Sequence, residues 1–171
     1  MREELEACGT DFDSRGRRTD ECIDVMRALW ADTEPEGASF EGEFFRFAHA
    51  HTHPKPVRPG GVPIHIGGHT PASIRRAARR GDGWQPLGLW GDELARALER
   101  LRAETAAAGR DPGALELTIS ALSTSTTPET VEKVAALGVD RLVVTCALAD
   151  LDAAKDDMSA VAQRIGLGAP G

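Results

Sequence analysis

The sequence predicts an α/β protein built on a parallel sheet, and three features carry that expectation. From residue 62 onward, short apolar runs alternate with helical stripes. Alternating βα units imply parallel strands with helices packed outside them. Two of the helices open with the same pair, Thr70-Pro71 and Thr127-Pro128. A hydroxyl at the N-cap followed by proline at the first helical position is a strong helix start. The third feature is length: 171 residues make one domain of ordinary size. A complete (βα)8 barrel usually needs ~250 residues, so this chain could hold about half of one.

The elements follow in order. Thr19 reads as a helix N-cap, with Asp20 and Glu21 in the first turn, where the helix dipole favours acid. Ile23, Met26 and Trp30 recur behind it at helical spacing, and Gly37 closes that region. Residues 40–47 hold four of the chain's five Phe and read as a short hairpin or ordered loop. Pro54, Pro56 and Pro59 make the next stretch extended or looped. Val62 to Ile66 is a short buried strand, Gly67-Gly68-His69 a turn, and Thr70 opens a helix that stops at Gly81. Gly83-Trp84-Gln85 is a minimal strand, and Asp92 opens a helix that ends at Gly109. Leu115, Leu117, Ile119 and Ala121 alternate on a third strand. Thr127 caps a helix with Val131, Val134 and Ala135 inside and Gly138 as its stop. Arg141 to Cys146 is a buried strand, and Leu151, Ala154, Met158, Val161 and Ile165 lie on a closing amphipathic helix. The result is one helix followed by four βα units. Periodicity leaves open whether they form an open doubly wound sheet or half a barrel.

Composition excludes several partners. A net charge of −7 argues against nucleic acid, whose affinity comes from Lys and Arg on phosphates. The longest apolar stretch, residues 142–149, is far too short to span a bilayer. The opening Met1-Arg2-Glu3-Glu4 has no apolar core behind it and is no signal peptide. Cys8, Cys22 and Cys146 are odd in number and widely spaced. They indicate neither a disulfide framework nor a zinc knuckle, and the expected location is the cytoplasm.

The most informative segment is Ile64-His65-Ile66-Gly67-Gly68-His69-Thr70-Pro71. Two glycines after a strand let a phosphate approach the backbone, and the following helix N-terminus offers N–H donors and a positive dipole. The plain alternative is a tight βα turn. Trp84 either stacks on a planar ring at the mouth of the fold or packs in the core. His49, His51 and His53 alternate, and His65 and His69 follow. Imidazoles suit zinc, but no acidic ligand lies near the run, so no metal site is assigned. A zinc-dependent hydrolase stays the lowest-ranked reading. His65, inside an apolar strand, reads as an interior histidine that could face a barrel lumen. No nucleophile motif is present, and Ser123 to Thr127 ends a strand without a base partner nearby.

Seven segments in order then carry a resemblance: Arg15-Gly16-Arg17-Arg18-Thr19-Asp20-Glu21, Ala28-Leu29-Trp30, Phe40-Glu41-Gly42, Pro54-Lys55-Pro56, Pro63 to Gly68, Gly81-Asp82-Gly83-Trp84, and Gly109-Arg110-Asp111-Pro112. Together they resemble the luciferase-like monooxygenase superfamily, most closely its coenzyme F420-dependent oxidoreductase branch. The resemblance implies a (βα)8 TIM barrel. It makes this chain the C-terminal half, about four parallel strands with outer helices, entered just after the fourth strand. It implies a single half-barrel domain over residues 1–171 with a loop and hairpin insertion over 32–61.

By the same resemblance, Gly67, Gly68, His69 and Thr70 would help hold the phosphate of a deazaflavin (F420) or, alternatively, of FMN, with Trp84 near the same mouth. The implied activity is hydride transfer to or from a small organic substrate. Relatives take much of the ring contact and proton chemistry from the other half, so no catalytic acid or base is assigned. The alternative reading is a catalytically incomplete half barrel acting as a phosphate-binding or interaction module. Exposed strand edges imply a homodimer or a complementing N-terminal half-barrel chain.

Overall fold

The computed structural model describes residues 2–33, 35–146 and 150–167; the last three residues of the apolar stretch 142–149 lie outside that set. The chain forms two compact units, residues 1–64 and 65–171.

The first unit contains α1 (Arg2–Ala7), α2 (Arg15–Ala31) and an antiparallel hairpin of β1 (Ala38–Glu41) and β2 (Arg46–Ala50). Thr19 is not the N-cap of α2. The helix begins four residues earlier, behind Ser14, whose amide donates to the Asp11 carboxylate at 2.8 Å. Thr19 lies inside the helix, and its hydroxyl donates to the Arg15 carbonyl at 2.8 Å, the back-bonding open to a mid-helix Thr.

The motif residues of this unit fasten it together. The Glu21 carboxylate accepts N–H bonds from Glu43, Phe44 and Phe45 at 3.0, 2.9 and 2.7 Å, so α2 holds the hairpin turn by its backbone. Gly42 is required beside it, because a Cβ there would lie 2.2 Å from a Glu21 carboxylate oxygen. Arg17 forks onto Glu43 at 2.9 and 3.2 Å, and Arg18 sits 4.9 Å over the Phe45 ring. Lys55 donates to the Leu29 carbonyl at 2.8 Å and pairs with Asp32 at 3.4 Å, tying the proline-rich stretch to the C-terminal end of α2.

The second unit is β3 (His65–Gly67), α3 (Pro71–Arg80), β4 (Gly83–Gln85), α4 (Gly91–Ala107), β5 (Glu116–Leu122), α5 (Pro128–Ala136), β6 (Arg141–Thr145) and α6 (Leu151–Arg164). The strands form one parallel sheet in the order β3-β4-β5-β6. β3 starts three residues later than Val62, since Pro63 has no N–H for a ladder. Thr70 and Thr127 cap α3 and α5 as their sequences predict, each hydroxyl accepting from the amide three residues on.

One face of the sheet is buried. Ile66, Trp84, Leu117, Ile119 and Ala121 form a core with Ile74, Ala77, Leu94, Leu98 and Leu101 of the helices. Arg110 locks this layer. Its guanidinium donates to the Ala77, Ala78 and Gly81 carbonyls at 3.3, 2.8 and 2.7 Å, satisfying the C-terminal end of α3.

The other face carries His65, Gln85, Glu116, Ser120, Arg141 and Val143 and stays partly open. Two expectations change there. β6 is not buried but alternates exposed and half-buried, because it is a sheet edge with one open face. α6 buries only Val161, leaving Leu151 69% and Met158 45% exposed. Ala135 of α5 is likewise exposed, while Val134 is buried.

Candidate cofactor site at the turn after β3

The turn behind β3 is built by its neighbours. Gly67 ends the strand, and around it a Cβ would meet nothing within 4 Å. Gly68 takes φ +89° in the left-handed region, which favours glycine. Its amide donates to the Gln85 carbonyl at 3.0 Å, and its carbonyl accepts from the Trp84 indole N–H at 2.9 Å. Both ends of that residue are therefore held by β4. Thr70 then caps α3, accepting from the Ser73 amide at 3.2 Å, and the Ser73 hydroxyl donates to the Thr70 carbonyl at 2.8 Å.

This leaves a defined donor set. Gly67, His69 and Thr70 are exposed. Among the described residues, the amides of His69, Thr70 and Ala72 have no hydrogen-bond partner. They sit at the start of a ten-residue helix, where the dipole is positive. A phosphate fits such a set: an open approach over Gly67, unused N–H donors and no acidic side chain of the turn itself. The Gly68 amide is not part of it, being spent on Gln85.

Trp84 does not present a face to this opening. It is 0% exposed, and its ring packs in the core. What it contributes to the turn is the N–H bond to Gly68. Of its two sequence readings, packing is the one the geometry displays.

The open face of the sheet below the turn is polar. Gln85 Nε2 donates to Ser120 Oγ at 3.1 Å across β4 and β5. Deeper, His65 Nε2 lies 3.3 Å from Glu116 Oε2, and Glu116 also pairs with Arg141. His65 stands out in the sequence, whereas Gln85, Ser120 and Glu116 do not. Strand parity was the available signal, since they alternate with Trp84, Leu117 and Ile119.

At the same end of the sheet, α6 grips the loop after β5. The Asp157 carboxylate accepts from the Ser123 hydroxyl and the Cys146 thiol, and Arg164 donates to the Ser123 and Thr126 carbonyls at 2.9 and 3.0 Å. The Ser123 and Cys146 hydrogen bonds hold the Asp157 carboxyl below its ordinary range. Burial, with the Asp157 carboxylate beside it, pushes the Cys146 thiol up. The polar run 123–127 is thus fastened by buried Ser123 and Thr126.

Among the described residues, no three His, Cys, Asp or Glu side chains converge to hold a metal. His51 and His53 stack at 6.2 Å beside a cavity of about 510 Å³ lined also by Asp32 and Lys55, whose ammonium is itself a cation in that wall. No helix among the described residues is long and apolar enough to cross a membrane.

Comparison with known proteins adds the following. The family model described as luciferase-like monooxygenase matches residues 2–165. An uncharacterized Mycobacterium tuberculosis protein is 40% identical over 108 residues, covering 63% of this chain and 35% of that protein. An F420-dependent glucose-6-phosphate dehydrogenase of Mycolicibacterium smegmatis is 31% identical over 122 residues, covering 70% of this chain and 35% of that one. The chain thus spans well under half the length of these curated relatives. Among solved structures, an F420-dependent secondary alcohol dehydrogenase bound to an F420–acetone adduct superposes with TM-score 0.72 at 16% identity, over 90% of this chain and 63% of that one. The F420-dependent tetrahydromethanopterin reductase of Methanopyrus kandleri superposes with TM-score 0.65 at 10% identity, over 88% and 62%. These neighbours are TIM barrels, and the present four-stranded sheet corresponds to roughly their C-terminal part.

Proposed function

The chain belongs to the luciferase-like monooxygenase family, and on that premise we propose that it serves an oxidoreductase whose deazaflavin cofactor, F420, is anchored by its phosphate at the turn after β3. The observation that carries this reading is the open start of α3: unused amides at His69, Thr70 and Ala72 behind an unobstructed Gly67. The F420-dependent relatives in the same family favour F420 over FMN as the bound group.

In this reading the amides of His69, Thr70 and Ala72 bind the phosphate, with the helix dipole adding to their pull. Gly67 keeps the approach clear. Gln85 and the Trp84 N–H hold Gly68 in its left-handed conformation, so the donors are in place before the ligand arrives. Gln85 and Ser120 line the polar interior below. When bound, the deazaflavin ring supplies hydride acceptance or donation, and the protein supplies position and electrostatics. The substrate class is a small organic molecule. The strands that complete the open sheet, whether from a longer form of this chain, another copy or a complementing half barrel, supply the ring contacts.

Titrating F420 and FMN into the chain while following cofactor fluorescence tests this. Saturable binding of F420 that inorganic phosphate competes away, and that Gly67→Val weakens at least tenfold, is expected. Absence of binding by either cofactor at several hundred micromolar overturns it. Tighter binding of FMN than of F420 overturns the choice of cofactor.

A further inference from the structure

Gln85 is the last residue of β4, and its backbone and side chain do different work. The carbonyl accepts from the Gly68 amide and braces the turn after β3. The side chain lies on the face opposite the Trp84 ring, since successive side chains of a strand alternate. There its Nε2 donates to Ser120 Oγ at 3.1 Å. Ser120 alternates in the same way with buried Ile119 and Ala121. Parallel strands ordinarily carry apolar residues on both faces, and an amide bonded to a hydroxyl departs from that rule. Both residues stand on central strands, β4 between β3 and β5, and β5 between β4 and β6. Their placement therefore owes nothing to the edges of the sheet. Gln85 also marks the carboxyl end of its strand, where parallel sheets bind ligands.

The bond between the two leaves hydrogen-bonding capacity over. Among the described residues, Gln85 Oε1 accepts from no donor and the Ser120 hydroxyl proton meets no acceptor. Register places Gln85 beside Gly67, so no side chain stands between the amide and the open approach over that glycine. Neighbouring strands lie ~4.8 Å apart, which puts Gln85 roughly 5 Å and Ser120 roughly 10 Å across the sheet from Gly67.

We infer that Gln85 and Ser120 bind the hydroxylated chain that joins the cofactor's phosphate to its ring. The inference rests on the phosphate-anchor reading above and extends it to the next group along the cofactor. A phosphorylated flavin or deazaflavin carries its phosphate on a ribityl chain, and every hydroxyl of that chain both donates and accepts. With the phosphate on the amides at the start of α3, these hydroxyls are the first groups met across the sheet. Gln85 Oε1 takes a hydroxyl proton, and the Ser120 hydroxyl donates to a hydroxyl oxygen. The acceptor is what assigns the pair to the chain and not to the anchor: Oε1 offers nothing to phosphate oxygens, which are acceptors themselves. The Gln85–Ser120 bond orients the amide, so the acceptor is in place before the ligand arrives.

Gln85→Leu and Ser120→Ala in the full chain test this, with cofactor fluorescence as the readout. The first variant keeps the carbonyl that holds Gly68. Either variant should bind F420 about tenfold more weakly, the loss expected for one or two hydrogen bonds. The dissociation constant of inorganic phosphate, measured by displacement of F420, should be unchanged, and the Gly68 amide should stay protected from hydrogen exchange. An F420 affinity unchanged in either variant overturns the inference. So does a phosphate constant that weakens in step with F420, because the pair would then act on the anchor. Should Gln85→Leu lose its far-ultraviolet circular dichroism, Ser120→Ala decides alone. A parent chain that binds neither F420 nor FMN overturns the anchor reading and this inference with it. A parent that binds F420 while the variants match it removes the chain contact and leaves the anchor standing. Tighter binding of FMN than of F420 changes the cofactor and leaves the role of the pair intact, since both cofactors carry the same phosphorylated chain.

Discussion

His65 on β3 meets Glu116 on β5 at 3.3 Å although β4 lies between them. The contact exists because position 83, on the intervening strand, has no side chain. A Cβ at Gly83 would lie 2.5 Å from the His65 ring and 2.6 Å from the Glu116 carbonyl. Register places His65 beside Gly83 and Gly83 beside Glu116, so the glycine is the notch through which two strands reach one another.

Gly83→Ala therefore destabilises the second unit. Overpacking of this kind costs about 1–3 kcal/mol, measurable as a lower urea midpoint. Adding His65→Ala relieves only part of the loss, because the Glu116 carbonyl cannot move out of the sheet. Full recovery in the double variant would show that the ring alone sets the limit.

Glu21→Gln should loosen the hairpin. Three backbone N–H groups share that carboxylate, and hydrogen bonds to a charged group contribute roughly 1.5–3 kcal/mol each at most in net stability. The amides of residues 43–45 should then exchange with solvent at least tenfold faster. Gly42→Ala should produce the same acceleration by displacing the carboxylate. Unchanged exchange in both would remove the carboxylate from its assigned role.

Arg110→Lys is expected to behave like Arg110→Ala. The guanidinium serves three carbonyls at once through a planar fork that an ammonium cannot reproduce. A loss of about 1–3 kcal/mol is expected for either change, read by thermal or denaturant unfolding. A lysine variant as stable as the parent would mean that charge, not fork geometry, holds the end of α3.

Asp157 gives the loop after β5 an acid-sensitive fastening. Its carboxyl is held below the ordinary value by Ser123 and Cys146. A depressed native pKa contributes stability that is present above the unfolded-state value, about 3.9, and lost as pH falls through the lower native value. Stability should drop more steeply below about pH 4 in the parent than in Asp157→Asn. The raised Cys146 thiol should react with a disulfide reagent at pH 8 more slowly than exposed Cys8, and faster once Asp157 is neutralised.

Trp84→Phe keeps the buried ring volume but deletes the N–H to Gly68. A stability loss of about 1 kcal/mol is expected, together with several-fold weaker F420 binding if the turn after β3 is the anchor. Equal binding with lower stability would confine Trp84 to the core.

Much of the fold was legible because its signals are local. Thr70 and Thr127 cap their helices by hydroxyls three residues from the amides they serve, and Leu117, Ile119 and Ala121 alternate on β5. The four βα units and their parallel order follow from such patterns, and the motif order identified the family. Thr19 misled because a Thr before two acids has the composition of a cap wherever it falls. Only the folded helix shows its hydroxyl turned back to Arg15. The exposure of β6 and α6 was hidden for the same kind of reason: an apolar run such as Leu142-Val143-Val144 records what a strand can bury, not whether a neighbour covers it.

The site divides along that line. The sequence by itself determined that two glycines and a capped helix follow β3, because turn and cap chemistry depend on residues a few positions apart. The tertiary structure alone decided which amides remain open. Gly68 is claimed by Gln85, seventeen residues on, and by Trp84, while the backbone amides of His69, Thr70 and Ala72 have no hydrogen-bond partner among the described residues. Tertiary packing also gave Glu21, Gly83 and Arg110 their roles, since each acts on groups eighteen or more residues away that only folding brings within hydrogen-bonding or van der Waals range.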